Sequence, residues 1–297
     1  MAATEDNFPA QFDIFDDVQV VEFHYWNALP ALIKIKILKY APFPTLRNFM
    51  LLSKESYELV RRIRIPTNVY LLERTSRELK RRYGIRNYRR GLEFIFEWFP
   101  DGIMDLSKHQ PFHNLLFLEK EEGCCFVQRF VRKRRRTFNL STRIGYNTGI
   151  LAAAFKTLFN IAKYMDILDL SVLTNSPFEE IEGVIAEMTS TVLIAREKLF
   201  METNGEPSAT TSLLRFLHPG CEMVLSSSSE LREPFSDHSF WNSETVRASR
   251  DIQVLFPVGI RDDELSQLRT KYLMMNTPFV TSHGIAQLIM VRTFCSS

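Results

Sequence analysis

Between residues 29 and 60 the apolar positions recur at helical steps, in the stretch LPALIKIKILKYAPFPTLRNFMLLSKESYELV. Leu32, Ile35 and Leu38 are three apart and Ile33 and Ile37 four apart. Apolar groups therefore fill much of one helix's circumference, leaving Lys34, Lys36 and Lys39 the remaining face. Pro30 suits the first helical turn, which needs no backbone donor there. Ala41-Pro42-Phe43-Pro44 stops the helix, because two prolines so close break the hydrogen-bond ladder. Pro44 opens a second helix with Leu46, Phe49 and Leu52. Ser53 caps a third, with Glu55 in its first turn and Tyr57 and Val60 pointing inward. The alternation in IKIKI alone would fit a strand, but the flanking prolines and Leu38 favour helix. Three short helices in about forty residues hold little core of their own, so a unit this apolar calls for a partner.

The rest of the chain reads in two textures. Residues 1–24 form an acidic lead-in whose Phe8, Phe12, Ile14, Phe15 and Val18 are apolar enough for part of it to fold back on the body. After the break at Ile65-Pro66, residues 74–90 (RTSRELKRRYGIRNYRR) predict a basic helix ending near Gly84. GLEFIFEWFP at 91–100 fits a strand or a buried helix. Leu115 to Leu118 and Cys124 to Val131, flanking EKEEG, predict an antiparallel hairpin, with RKRRRT at 132–137 an exposed basic turn. From about 151 helices and strands alternate. Helices are expected near 151–164, 178–189, 209–217, 241–249, 262–270 and 282–292. Strands are expected at Ile167 to Val172, Val192 to Ile194, Met223 to Leu225, Ile252 to Phe256 and Tyr272 to Met275. A period in the twenties to low thirties is that of a strand-plus-helix repeat, although no strict LxxLxLxxN consensus is present. The expected fold is α+β or α/β: an acidic segment 1–24, a three-helix unit 25–66, a connecting region 67–150 and an irregular, leucine-rich-repeat-like strand–helix domain 151–297.

Composition sharpens this picture mostly by exclusion. With 297 residues, 45% of them hydrophobic, the chain fits one large or two ordinary domains. It has no 18-residue uncharged apolar run and no charged–apolar–small leader, so a soluble protein with no membrane partner is expected, cytoplasmic and/or nuclear. Cys124, Cys125, Cys221 and Cys295 lack metal-ligand spacing and read as reduced thiols, and Asn139-Leu140-Ser141 reads as an unused glycosylation triplet. His109 and His113 are four apart, but Pro111 lies between them and no further ligand completes a metal site. No phosphate-binding loop, dinucleotide fingerprint or nucleophile elbow occurs. Neither a cofactor, a metal nor a catalytic centre is expected.

Net charge is only +2, yet it is unevenly spread: residues 1–23 carry six acids and no Lys or Arg, whereas 61–90 hold eleven Lys or Arg against two Glu. Lys80, Arg81, Arg82, Arg89 and Arg90, with Lys133, Arg134, Arg135 and Arg136, form a candidate basic patch. Its plainest reading is a solvated face and a hairpin turn. A lesser alternative is nucleic acid, held by phosphate charge and by stacking on Tyr83 and Tyr88. An acidic or phosphorylated substrate is the intermediate option.

Leu29-Pro30, then Ile37-Leu38, Leu46, Leu52-Ser53-Lys54 and the aromatic Tyr57 together resemble an F-box. The resemblance implies a three-helix module that docks on a Skp-type adaptor and, through it, on a cullin–RING ubiquitin ligase. Carried onto this sequence, the adaptor-binding set is Leu29, Pro30, Ile33, Ile37, Leu38, Leu46, Leu52 and Tyr57, some of which must hold the helices together instead. SLLRFLHPGCEMVLSSSS at 212–229 and FWNSETVRASRDIQVLF at 240–256 are similar to the associated (FTH) region of the large nematode-expanded F-box family. DDELSQLRTKYLMMNTPFVTSHGIAQLI at 262–289 looks like the close of such a region. That implies a non-catalytic surface for an unknown protein substrate. The alternatives are a nucleic-acid-binding protein and a non-catalytic repeat scaffold, the latter requiring residues 25–66 to contact the body.

Overall fold

The computed structural model describes residues 25–41, 46, 49–98, 113–121, 123–133, 136–139, 144–146, 148–176, 178–189, 192–204 and 208–295. Two helices open the chain, α1 (Ala31–Leu38) and α2 (Lys54–Arg61). Leu46, Phe49 and Met50 are helical between them, while residues 42–45 and 47–48 of the expected second helix lie outside the described residues. Ser53 caps α2 as its sequence implies, its hydroxyl accepting from the Ser56 N–H at 3.0 Å.

A single sheet follows. Its first strand, β1 (Ile65–Thr75), sits near the middle, and the chain then meanders to one side through β2 (Arg90–Trp98), β3 (His113–Glu121) and β4 (Cys124–Lys133). All of these pairs are antiparallel. β5 (Arg136–Asn139) and β6 (Ile144–Tyr146) both pair with β4. The segment 91–100, ambiguous in sequence, is thus a strand as far as Trp98, because Leu92, Phe94 and Phe96 share one buried face. Between β1 and β2 lies α3 (Ser76–Tyr83), closed by Gly84 in the left-handed conformation at φ 68°.

Helix α4 (Ile150–Ala162) then carries the chain back across the sheet, packing on β2, β3 and β7. Its Phe159 meets Phe216 edge-on, with ring centroids 4.7 Å apart. From there β7 (Met165–Leu173), β8 (Lys198–Thr203), β9 (Glu222–Ser227), β10 (Asp251–Pro257) and β11 (Tyr272–Asn276) are laid down in sequence order, each parallel to its neighbour. β7 is parallel to β1. The intervening helices are α5 (Glu182–Glu187), α6 (Ser208–Leu213), α7 (His238–Trp241), α8 (Glu244–Arg247) and α9 (Asp262–Ser266), and α10 (Ser282–Cys295) follows β11. Leu170, Val172, Leu199, Met201, Met223, Leu225, Ile252 and Val254 are buried on one sheet face, while their alternates Ser171, Phe200 and Gln253 are half-buried on the other.

Two expectations change. The strand expected at Val192–Ile194 lies instead at Lys198–Thr203; only every second residue there (Leu199, Met201, Thr203) faces the core, so the true strand is less uniformly apolar than the loop before it. The boundary drawn near 150 falls inside one sheet, since β1–β7 pairing joins residues 65–72 to 165–173. The described strands between residues 67 and 146 belong to the same sheet as β7–β11.

Arg90 reinforces that junction. Its guanidinium bonds Glu119 of β3 and Ser176 after β7, and lies 3.6 Å from Glu73 of β1 and 3.4 Å from Glu180. Glu73 also accepts from the Thr174 hydroxyl and the Asn175 N–H, both at 2.7 Å. The Glu119 hydrogen bond comes first in holding the guanidinium above its already high ordinary pKa, and burial pushes the Glu180 carboxyl upward.

Candidate protein-docking face

In α1 it is a lysine that faces inward. Lys34 is 4% exposed and Leu38 lies beside it on the same side, whereas Leu32 (74%), Ile33 (41%) and Ile37 (44%) face out. The expectation that Lys34 shares the solvent face is therefore corrected. Its ammonium donates to Glu55 Oε1 of α2 at 2.6 Å and sits 5.8 Å from the centroid of the Trp26 ring. A buried ammonium needs such a partner, and Glu55 in the first turn of α2 is also where the helix dipole favours an acid. Trp26 meets Phe49 edge-on at 5.2 Å, completing a small interior.

With Lys34 turned inward, the outward side carries several large apolar groups beside the exposed Lys36 and Lys39. Leu32, Ile33 and Ile37 are joined as exposed large apolar groups by Tyr40 (69%), Leu51 (76%) and Leu52 (73%). Leaving such groups in water forfeits about 1.5–3 kcal/mol for each aliphatic side chain that a partner could fully cover. Small monomeric domains rarely concentrate apolar surface in this way without using it.

The eight carried-over residues divide. Ile33, Ile37, Leu52 and Pro30 are exposed, Leu29 and Tyr57 are half-buried, and Leu38 and Leu46 are interior. Tyr57 lies under Arg61, whose guanidinium carbon is 5.5 Å from the ring centroid. Leu32, Tyr40 and Leu51 belong to the exposed apolar set without having been singled out, although Leu32 was legible from its place two residues after Pro30. Leu38, Leu46, Leu59, Val60 and Ile63 belong to the same apolar cluster as the sheet core. The helical unit is thus rooted in the body, as the scaffold alternative requires, and still leaves one side of α1 open.

The basic stretches separate similarly. Lys80, Arg81 and Arg89 are exposed, while Arg82 is half-exposed and lies 3.6 Å from the buried carboxylate of Glu93. Arg90 leaves the patch altogether, since its side chain is held among three carboxylates. The side chains of Lys133, Arg134, Arg135 and Arg136 lie outside the described residues, and so does that of His113, while His109 lies outside altogether. Among the described residues no group of three His, Cys, Asp or Glu could hold a metal ion, and no helix is long and apolar enough to cross a membrane. Burial pushes the Cys125 and Cys221 thiols up to about 12.

Residues 26–68 match the family model of the F-box domain. Among curated proteins and among solved structures nothing matches the chain. The matched segment contains α1, α2 and the entire exposed apolar set of this face. An F-box implies in general a Skp-type adaptor as partner and a substrate-recognition role in a Skp–cullin–F-box ubiquitin ligase; this chain carries an F-box at residues 26–68.

Proposed function

We propose that this protein recruits a specific protein substrate to a Skp–cullin–F-box ubiquitin ligase. The outer side of α1 and the Leu51-Leu52 pair would dock on the Skp-type adaptor, and residues 151–297 would hold the substrate. One observation carries the reading: α1 buries its lysine, which reaches the exposed Glu55 carboxylate of α2, and turns Leu32, Ile33 and Ile37 to solvent. Within the set, Ile33, Ile37 and Leu52 are the groups placed to meet the adaptor, with Leu29, Pro30 and Tyr57 at the margin. Leu38 and Leu46 hold the helices to one another.

The finer elements of the reading are a three-helix F-box and an FTH-like associated region of the nematode-expanded kind. Parallel strands laid down in sequence order, each followed by helical turns, support a leucine-rich-repeat-like description of that region. The protein itself would be non-catalytic, positioning a substrate for an enzyme on another subunit in the cytoplasm or nucleus.

Co-purification with a Skp-type adaptor tests this, beside a Pro30→Ala/Ile37→Asp variant whose folding is checked by circular dichroism. A stoichiometric complex that the variant loses supports the reading. A folded chain that never forms the complex overturns it and returns weight to the scaffold alternative.

A further inference from the structure

On α3 one side is fastened and the other is bare. Leu79 is buried among Leu116, Leu118 and Ile85, and Gly91 permits the approach: a Cβ there would stand 3.1 Å from Leu79 Cδ2 and 3.2 Å from Leu118 Cδ2. Below the helix, the buried Glu93 carboxylate takes a hydrogen bond from the Tyr83 hydroxyl and another from Arg74 Nε at 2.8 Å. The helix start is locked by a capping box between Thr75 and Glu78, and its end by Gly84.

The opposite side carries Arg77, Lys80 and Arg81, spaced three and four apart and hence on one stripe, and the loop that follows adds the exposed Arg86 and Arg89. All five are exposed, and none makes an ion pair with another described residue. Three acids around the helix are already engaged: Glu78 in the capping box, Glu93 with Arg74 and Arg82, Glu119 with Arg90. In the parallel half Arg196, Lys198, Arg250 and Arg269 each have a carboxylate partner, while Arg232 and Lys271 stand singly, with no run of such cations around them.

Two features select the ligand. The aromatic rings interleaved with the arginines are used internally: Tyr83 on Glu93, and Tyr88 edge-on to Phe126 at 6.3 Å. Among the described residues of this segment, these two rings are thus not left as a free stacking platform for unpaired bases. The cations are also spread over thirteen residues, from the first turn of α3 to the loop before β2, which matches several spaced carboxylates better than a single phosphate.

We infer that the Arg77–Lys80–Arg81–Arg86–Arg89 strip is a docking surface for an acidic, Asp/Glu-rich segment of a protein partner. This goes beyond the adaptor reading, which puts the substrate on residues 151–297, by adding a separate contact at residues 77–89, and its test is independent of the F-box. Fluorescence anisotropy of a labelled oligoglutamate peptide is measured against the full chain, with and without bound adaptor. The strip variant is Arg77→Gln/Arg81→Gln/Arg86→Gln; the control, Arg61→Gln/Arg62→Gln/Arg64→Gln, removes the same charge where β1 begins, some 30 Å along that strand. We expect the strip variant to bind about tenfold more weakly, the control to bind as the unmodified chain, and affinity to fall with added salt. Equal losses in the two variants would reduce the effect to net charge and overturn the inference. Tighter binding of a DNA duplex than of the peptide would overturn it in favour of nucleic acid. Failure to capture the adaptor, with the strip result intact, would count against the F-box reading alone.

Discussion

Helices α1 and α3 are both eight residues long and use their two sides in opposite ways. α1 buries Lys34 and exposes Leu32, Ile33 and Ile37; α3 buries Leu79 and exposes Arg77, Lys80 and Arg81. Each has an ion pair with one buried member nearby, the ammonium of Lys34 on Glu55 in one case and the carboxylate of Glu93 with Arg74 in the other. The difference lies in what the outer side asks of its surroundings. A basic stripe is well solvated and tolerates having no partner, whereas an aliphatic one gains free energy each time a partner covers it. Partner dependence is therefore built into α1, and α3 carries only an electrostatic preference.

The comparison is broken most forcefully from below α3. Glu93→Ala should destabilise the fold by about 3–5 kcal/mol, because the Arg74 guanidinium and Tyr83 hydroxyl lose a buried partner. Urea unfolding checks this, and a change under about 1 kcal/mol would mean that water substitutes for the carboxylate. On α1 the next effect falls on binding. Ile37→Asp places an unpartnered carboxylate in a dry contact and should cost about 2–4 kcal/mol of adaptor affinity, with thermal stability nearly unchanged because Ile37 is 44% exposed. Calorimetric titration beside a melting curve separates the two, and parallel losses would make Ile37 structural. Smaller again is Lys34→Met, which removes the buried ammonium but keeps the stem's volume and leaves Glu55 in solvent. We expect a change within about 1.5 kcal/mol of either sign. A loss above about 3 kcal/mol would show that the ion pair is what orients α1.

Much of this was readable in the chain, and the misses have physical causes. Local chemistry spoke clearly: Ser53 as a cap, Gly84 as a helix end, Gly123 in the turn of the β3–β4 hairpin at φ 75°. Pro30, the Ile-Leu pair and Leu-Ser-Lys located the F-box. What periodicity could not decide was which side of α1 faces in, since apolar residues surround that helix and the deciding partner, Glu55, is 21 residues away. Arg89 and Arg90 are adjacent and identical in type, yet one is exposed and the other is held by Glu119, 29 residues on. The pairing of β1 with β7 is likewise a long-range event, about a hundred residues apart in sequence, that no local pattern announces.

The smallest effect sharpens the comparison at the start of α3. Glu78 is held below the usual carboxylate range, first by the Thr75 backbone N–H, which donates to it at 3.0 Å, and also by the Thr75 hydroxyl and the nearby arginines. A carboxyl whose pKa is lower folded than unfolded adds stability above its unfolded value, near 4.3, and loses it as pH falls through the folded value. Thr75→Ala removes the hydroxyl that accepts from the Glu78 N–H and should cost about 1 kcal/mol at neutral pH. With Glu78 then closer to its ordinary pKa, the gap between variant and parent should narrow as pH drops below about 4. α2 offers the contrast: its Ser53 cap relies on a hydroxyl and no carboxylate, so Ser53→Ala should cost a similar amount that does not vary with pH through Glu78. Unfolding curves for the two variants, from neutral pH down through the carboxylate range, would show the α3 gap closing and the α2 gap unchanged. A Thr75→Ala deficit that stays constant into acid would mean that the hydroxyl caps α3 alone and that Glu78 adds nothing to it.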